Sequence, residues 1–274
     1  MKPVDFEYAR PADLPAALAL ISDDAKSVKI AAGSQSLGPM LNLRLVQPDV
    51  VIDITGIEEL RSISDRPDEI IVGACITHAD VEDGRVPDVT CGALPTVARG
   101  IAYRAVRNRG TIGGSLTHAD PSADWISILS AIGAKVTLRN AERSRSMPVE
   151  DYMLGALEAD LKHGELLVSI SVPKLGRGAL WGYYKCCRKT GEFAHAIGAF
   201  VIDRERNVSR AVIGATESKP IVVSDARGLI GDGKPEAFDA GAVYELIERA
   251  GMDDPINRQT HVVALRRAIE RAHT

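Results

Sequence analysis

The sequence predicts an α+β protein of two domains. The chain has 274 residues, which is about twice the ~150 residues of a typical domain. Helix and strand patterns are mixed in its first part, whereas strands cluster as hairpins later in the chain. Between the two parts, the segment 173–178 contains Pro173, Gly176 and Gly178 and is the best linker candidate. We therefore expect one domain over 1–175 and a second over 176–274.

The first predicted elements alternate between helix and strand. A helix begins near Pro11, because proline is tolerated in the first helical turn. Leu14, Leu18 and Ile21 then give this helix one apolar face. Strands rich in apolar and β-branched residues follow at 28–32, 50–54 and 70–74.

The middle of the chain predicts two helices around a glycine break. The first helix covers 94–106, and Gly110, Gly113 and Gly114 form the break after it. The second helix starts at 120–122. Its buried stripe has the spacing i, i+3, i+4, i+7 and consists of Trp125, Ile128, Leu129 and Ile132. Strands are then expected at 135–138 and 166–172.

The last part of the chain predicts a hairpin and two helices. Strands at 194–202 and 208–215 are joined by a charged turn at 203–207. A helix over 241–250 stops at Gly251, since glycine commonly ends helices. The final helix covers roughly 260–272.

Composition excludes several classes of function. The 33 Lys and Arg against 37 Asp and Glu give a net charge of −4, so the chain has no general attraction for nucleic acid or an anionic membrane. Aromatic residues are only 4%, too few for a platform that stacks nucleic-acid bases. No apolar run is long enough for a membrane span, and early charged residues argue against export, so a cytoplasmic location is expected. The four cysteines lack metal-ligand spacing and predict reduced thiols and no metal site, and they are Cys75, Cys91, Cys186 and Cys187.

The segment from Ala32 to Leu37 is the first candidate binding loop. It follows a predicted strand and contains Gly33, which can adopt a positive φ. Successive N–H groups in such a turn form an anion site, to which Ser34 and Ser36 add hydroxyl donors. A plain turn is the commoner role of such a loop, and that alternative stays open.

The segment from Thr111 to Ser115 is the second candidate loop. It has a glycine pair and hydroxyl groups and precedes a helix N-terminus, where free N–H groups favour an anion. The alternative is that Asp120 or Ser122 merely caps that helix. Two such loops could clamp one diphosphate, and Asp124 could accept a hydrogen bond from a ribose hydroxyl or an amide.

These segments resemble the two FAD loops of one flavoprotein family. The residues from 32 to 44 and from 107 to 124 resemble the loops of the medium subunits of molybdenum hydroxylases, which include carbon monoxide, xanthine and nicotine dehydrogenases. The segments 164–173 and 185–191 fit the later region. The resemblance implies a two-part FAD-binding domain of the vanillyl-alcohol-oxidase (PCMH) type, with subdomains of about 1–56 and 57–175. A small α+β C-terminal domain of the carbon monoxide dehydrogenase flavoprotein type follows.

The resemblance also implies a set of FAD contacts. Ser34 stands where the family usually has glycine, and a positive φ there would cost about 1 kcal/mol. Ser115 replaces a frequent asparagine. Phe193 lies where a residue stacks beside the flavin ring, and an aromatic ring there would hinder nicotinamide. The implied contacts are Ala32, Gly33, Ser34, Gln35, Ser36, Leu37, Thr111, Ile112, Gly113, Gly114, Ser115, Asp120, Asp124, Leu167, Lys185 and Phe193.

The charged residues near these motifs have several possible roles. Lys185 is either a cation at the flavin N1 and O2 edge or a surface lysine. Four arginines either form internal salt bridges, reach the FAD phosphates or face an Fe–S partner, and they are Arg99, Arg104, Arg107 and Arg109. A structural or surface role is expected for the nearby histidines, which are His78, His118 and His195.

The missing cofactor motifs indicate the role of the chain. Each [2Fe–2S] cluster takes four thiolates, and the four cysteines have the wrong spacings. The resemblance therefore implies that a small partner subunit holds the [2Fe–2S] clusters and a large one the molybdenum cofactor, in a heterotrimer or its dimer. Electrons would pass through FAD to an external acceptor, and no catalytic acid or base is assigned. The alternatives are a stand-alone flavin-dependent oxidoreductase and a non-catalytic nucleotide-binding module.

Overall fold

The computed structural model describes residues 2–273 and mixes helices with strands throughout. Its strands are β1 (Glu7–Ala9), β2 (Val28–Ala31), β3 (Val50–Asp53), β4 (Ile63–Asp65), β5 (Glu69–Gly73), β6 (Lys135–Arg139), β7 (Ser144–Pro148), β8 (Met153–Gly155), β9 (Glu158–Ala159), β10 (Leu166–Pro173), β11 (Leu180–Cys186), β12 (Ala196–Asp203), β13 (Val208–Gly214) and β14 (Ile221–Val223). Its α-helices are α1 (Leu14–Ile21), α2 (Leu37–Asn42), α3 (His78–Glu82), α4 (Ala93–Gly100), α5 (Arg104–Arg107), α6 (Ile112–His118), α7 (Asp124–Ile132), α8 (Val149–Tyr152), α9 (Arg227–Ile230), α10 (Ala240–Arg249) and α11 (Pro255–Arg271).

The first sheet is parallel and has the strand order β1-β3-β2. Helix α1 covers it with Leu14, Leu18 and Ile21, the apolar face that the sequence predicts. Strand β2 ends at Ala31. The first candidate loop therefore leaves the carboxyl end of this sheet, where parallel sheets commonly bind ligands.

The second sheet is antiparallel and has the order β4-β5-β10-β6-β7. Helix α7 packs against it and also against β12 and β13 of the third sheet. Because both sides of the helix are covered, all nine of its residues are buried. Its predicted stripe is among them, at no more than 2% exposure for any member, and consists of Trp125, Ile128, Leu129 and Ile132.

The third sheet is antiparallel and has the order β11-β12-β13-β14. Helix α11 crosses it so closely that two strand positions have no room for a side chain. A Cβ on Gly182 would lie 2.0 Å from the Ala268 carbonyl oxygen, and one on Gly198 would lie 2.4 Å from the Leu265 Cα. This sheet is thus held between α11 and α7, and its strand β11 is placed beside the start of α7.

Three predicted elements differ from the structure. The helix predicted over 94–106 is two helices, α4 and α5, because the chain turns at Ala102, whose φ is 41°. The predicted glycine break is instead helix α6, which begins at Ile112. The final helix begins at Pro255, earlier than predicted, since Asp254 caps it there.

The alternative that Asp120 or Ser122 caps helix α7 is wrong. The helix begins at Asp124 with Ala123 as its N-cap, and no side chain caps it. The Asp120 carboxylate accepts a hydrogen bond from the Ser122 N–H at 2.8 Å, so it shapes the preceding turn instead. Within residues 2–273, no helix is both long and apolar enough to cross a membrane.

Candidate cofactor-binding site

A cavity of about 620 Å³ lies where the first sheet, helix α6, the start of α7 and the segment after β11 meet. Its volume is typical of a site for a small molecule or cofactor. All but one of the predicted contacts line it; the exception, Ile112, is buried in the core. The predicted residues on its wall are Ala32, Gly33, Ser34, Gln35, Ser36, Leu37, Thr111, Gly113, Gly114, Ser115, Asp120, Asp124, Leu167, Lys185 and Phe193.

The first loop combines close packing with one left-handed residue. A Cβ on Gly33 would lie only 2.0 Å from the Arg109 carbonyl oxygen, so this position must be glycine for lack of space. Gly33 itself does not have the positive φ that the sequence suggested. That conformation falls on Ser34, whose φ is 58°. The Gln35 side-chain amide donates to the Gly33 carbonyl at 3.0 Å and closes the turn.

The second loop is the first turn of helix α6. Thr111 is the N-cap, and its Oγ1 accepts a hydrogen bond from the Gly114 N–H at 3.1 Å. A Cβ on Gly113 would lie 2.6 Å from the Ala74 Cβ, so this glycine lets α6 pack against the chain after β5. Gly114 is exposed, and a Cβ there would lie 3.7 Å from the Ala32 Cβ across the cavity. A side chain at position 114 would therefore reach the first loop, as well as the Thr111 Oγ1 at 2.8 Å.

A cluster of three hydrogen-bonded groups joins α7 to β11. The Asp124 carboxylate accepts from the Tyr183 hydroxyl at 2.6 Å with one oxygen and from the Lys185 ammonium at 2.8 Å with the other. Burial raises the pKa of the Asp124 carboxyl, and the Lys185 and Tyr183 bonds offset part of that rise. Lys185 is therefore a partnered cation in the cavity wall, with only 11% of its side chain exposed.

Two residues of the site were missed from the sequence, and His78 is the first. Its Nδ1 accepts from the Trp125 indole N–H at 2.9 Å, which places the proton of the neutral ring on Nε2. Burial, followed by the charge of Arg107, lowers the pKa of His78 to about 4, so the ring is neutral at pH 7. His78 lines the cavity, and its Nε2 has no hydrogen-bond partner in the described part of the chain.

Tyr183 is the second missed residue. It is two positions before Lys185 on β11, and alternate residues of a strand share a face. That spacing was visible in the sequence. Its partner Asp124 lies far away along the chain, so nothing local identified the contact.

Aromatic rings stand at the mouth of the cavity. Phe193 is 71% exposed and lines it, as does Tyr103. The segment carrying Phe193 is held against α5 at Gly191, whose φ is 87° and whose Cβ would lie 2.8 Å from the Ala102 carbonyl oxygen. The C-terminal part of the chain thus contributes an aromatic ring as well as Lys185 to the site.

Two of the four candidate arginines form internal salt bridges. Arg104 pairs with Glu82 and Asp83, and Arg107 pairs with Glu82 and donates to two backbone carbonyl groups. These guanidinium groups fasten α5 to α3 beneath the second loop. Among residues 2–273, no cluster of three or more His, Cys, Asp or Glu side chains is arranged to hold a metal ion.

Comparison with known proteins identifies the family. Residues 4–175 match the family described as the FAD binding domain in molybdopterin dehydrogenase. The chain belongs to this family. The match covers both glycine loops, Asp124 and Leu167, and it ends before Lys185 and Phe193.

Similar proteins extend the likeness through the rest of the chain. The carbon monoxide dehydrogenase medium chain of Afipia carboxidovorans is 30% identical over 99% of this chain and 98% of its own length. Caffeine dehydrogenase subunit beta of Pseudomonas sp. (strain CBB1) is 32% identical over 81% of this chain and 76% of its own length. The solved structure of carbon monoxide dehydrogenase from Hydrogenophaga pseudoflava superposes with a TM-score of 0.87 at 30% identity, covering 100% of this chain and 99% of that one.

These findings confirm the predicted family, cofactor and class. The chain is an FAD-binding oxidoreductase subunit of the medium-chain type found in multisubunit molybdenum hydroxylases. Large and small partner subunits are implied by the relatives that carry the same kind of chain.

The residues of the cavity fit FAD. The two loops offer the hydroxyl groups of Ser34, Ser36 and Thr111, and Gly114 leaves the backbone open between them. Hydroxyl and backbone N–H donors suit a diphosphate. His78 lines the same cavity, and its Nε2–H, which has no protein partner within residues 2–273, is a further donor available to a bound cofactor.

Proposed function

We propose that this chain holds FAD between its two glycine loops and relays electrons from the [2Fe–2S] clusters of a small partner subunit to an external acceptor. Substrate oxidation takes place at the molybdenum cofactor of a large partner subunit. The observation that carries the proposal is the single cavity at which both loops, Asp124, Lys185 and Phe193 converge. Membership of the FAD-binding family supports it. A heterotrimer, or its dimer, is the proposed assembly, and a cytoplasmic location remains a prediction.

The fold proposal follows the same lines. We assign a two-part FAD-binding domain of the PCMH type to 1–175, with the parallel sheet in the subdomain 1–56 and the five-stranded sheet in 57–175. The segment 176–274 is the small C-terminal domain. The cavity lies at the junction of these three parts, which supports the division.

Each part of the cavity wall has a proposed role. When bound, FAD supplies the redox chemistry, and the protein supplies binding, orientation and electrostatics. The loops around Gly33 and Gly114 hold the diphosphate with backbone N–H groups and hydroxyls. Lys185 places a positive charge in the wall, which favours electron-rich atoms of the ligand. Phe193 stacks on the flavin at the mouth and hinders nicotinamide from reaching it.

The stand-alone oxidase is the weaker alternative. It requires a substrate pocket of its own beside the flavin. A second cavity, of about 400 Å³, lies between β11 and α11 and is lined by residues such as Tyr184 and Ile256. None of its lining residues belongs to the first cavity, so it offers no substrate site next to the cofactor.

Replacing Gly114 by valine tests the cofactor site directly. The added side chain would enter the gap between Thr111 and Ala32, so we expect a folded protein that purifies without FAD. The readout is flavin absorbance of the purified protein, with chromatography of the cofactor released by acid. Gly228→Val is the matched control, because a Cβ at Gly228 meets nothing within 4 Å and this glycine lies outside the cavity. Normal flavin content in folded Gly114→Val protein would reject the two-loop site.

A further inference from the structure

Two neighbouring side chains of β11 share one carboxylate at the cavity. Tyr183 and Lys185 point to the same face of the strand, and each donates to a different oxygen of Asp124. Asp124 is only 5% exposed, and these two side chains are its main donors, with a smaller contribution from its own backbone N–H. Asp124 and Lys185 line the cavity, whereas Tyr183 does not. Tyr183 therefore acts on the cavity only through Asp124.

We propose that Tyr183 is a positioning residue, whose hydroxyl keeps Asp124 ionised and oriented so that the Lys185 ammonium stays fixed in the cavity wall. The consequence for FAD rests on the proposed function, but the hydrogen-bonded arrangement itself does not. Without the phenol, Oδ1 of this buried carboxylate would lose its side-chain donor. Such a loss costs more when the acceptor is charged than when it is neutral.

The groups that face Asp124 determine in which direction its pKa changes when the Tyr183 hydroxyl is removed. Burial already raises the pKa of its carboxyl, and the bonds from Lys185 and Tyr183 oppose that rise. Removing the Tyr183 hydroxyl therefore moves the pKa of Asp124 further up. The other titratable groups around this part of the cavity are His78, His118, Asp120 and Glu192, with Cys187 beside Tyr183. None of these is hydrogen-bonded to Asp124 in the described residues.

A neutral Asp124 would change the charge of the wall. Its negative charge now compensates the Lys185 ammonium at 2.8 Å. Once Asp124 takes up a proton, the ammonium is left uncompensated next to the ligand. An anionic cofactor then binds more tightly at low pH, and this change should begin at a higher pH in Tyr183→Phe than in the wild type, whose Tyr183 hydroxyl opposes protonation of Asp124.

Tyr183→Phe tests the proposal, and Tyr184→Phe is the matched control. Tyr184 is the next residue of β11 and lies on the opposite face of the strand. Its hydroxyl accepts a hydrogen bond from Arg267, and its side chain lines the second cavity. The first measurement uses the full chain without cofactor and compares denaturation midpoints at pH 8 and pH 5.5. Tyr183→Phe should lower the midpoint more at pH 8, where Asp124 is charged, than at pH 5.5. Tyr184→Phe should shift it equally at both. Equal shifts for Tyr183→Phe would overturn the proposal.

The second measurement is the dissociation constant of added FAD across the same pH range. For Tyr183→Phe we expect FAD to bind about tenfold more tightly at pH 5.5 than at pH 8. For the wild type and Tyr184→Phe this ratio should be smaller, because the Tyr183 hydroxyl opposes the rise in the pKa of Asp124. A flat or reversed profile for Tyr183→Phe would also overturn the proposal. Failure of the wild type to bind FAD would instead reject the proposed function and leave the cofactor-free comparison to judge Tyr183.

Discussion

The two glycine loops of the cavity have similar compositions but use glycine for different reasons. In the first loop, Gly33 has no room for a Cβ because the Arg109 carbonyl, just before helix α6, lies against it. In the second loop, Gly113 packs against Ala74 after β5, and Gly114 borders the cavity. The left-handed conformation belongs to none of these glycines but to Ser34. In these two loops, glycine is required for close approach and not for unusual torsion angles.

Gly33→Ala should have the largest effect on stability, because it disrupts the close contact between Gly33 and the Arg109 carbonyl. Its Cβ would overlap a backbone carbonyl at 2.0 Å, which no side-chain rotation can relieve. We expect a loss of about 3 kcal/mol or more in the free energy of unfolding, together with loss of FAD. Denaturant titration and flavin absorbance measure the two effects. Gly38→Ala is the control, since a Cβ there meets nothing within 4 Å, and equal stability of both variants would contradict the assignment.

Gly113→Ala should have a smaller effect because the overlap of the added Cβ is less close than at Gly33. The Cβ would lie 2.6 Å from the Ala74 Cβ, and overpacking of this kind costs about 3 kcal/mol at most. The higher helix propensity of alanine offsets about 1 kcal/mol of this loss relative to glycine in helix α6. We therefore expect a net loss of about 2 kcal/mol by denaturant titration. A variant as stable as the wild type would show that α6 can shift away from the chain after β5.

The sequence predicted the parts of the fold that have clear periodicity. Helices α1 and α7 show apolar spacing, and the structure buries those residues. The sequence did not predict helix α6, because the low helix propensity of Gly113 and Gly114 favours a loop. In the structure, packing of Gly113 against Ala74 and the Thr111 cap stabilise the helix.

The composition of the loops predicted the candidate site better than local patterns predicted its geometry. Hydroxyl groups beside glycines drew attention to both loops, and the family resemblance added the distant residues. Tyr183 and His78 escaped because their partners, Asp124 and Trp125, are distant in sequence. Such contacts depend on how β11 and α3 pack against α7, which no short motif encodes.

Thr111→Val separates the helix cap from cofactor binding. The change keeps the shape of the side chain but removes the oxygen that accepts from the Gly114 N–H, which should cost about 1 kcal/mol of stability. FAD affinity should fall as well, since Thr111 lines the cavity. Thr77→Val is the control, because the Thr77 side chain also accepts from a backbone N–H at the start of a helix, α3, but does not line the cavity. The Thr77 hydroxyl also donates to the Asp80 carboxylate, so this variant should lose at least as much stability with FAD affinity unchanged, and a parallel loss of affinity would show that the effect is only structural.

Ser34→Gly should have the smallest effect on stability, and the only favourable one. A non-glycine residue at φ 58° costs about 1–2 kcal/mol, and relief of that strain favours glycine. Glycine also adds about 0.5–1 kcal/mol of conformational entropy to the unfolded chain, which opposes the gain. The balance is a stabilisation of about 0.5 kcal/mol, measurable as a higher denaturation midpoint. Ser34→Ala is the control, because it removes the hydroxyl but keeps the strain. If the hydroxyl binds FAD, both variants lose affinity while only glycine gains stability. A higher denaturation midpoint in both variants would instead show that the Ser34 side chain, and not its backbone conformation, destabilises the protein.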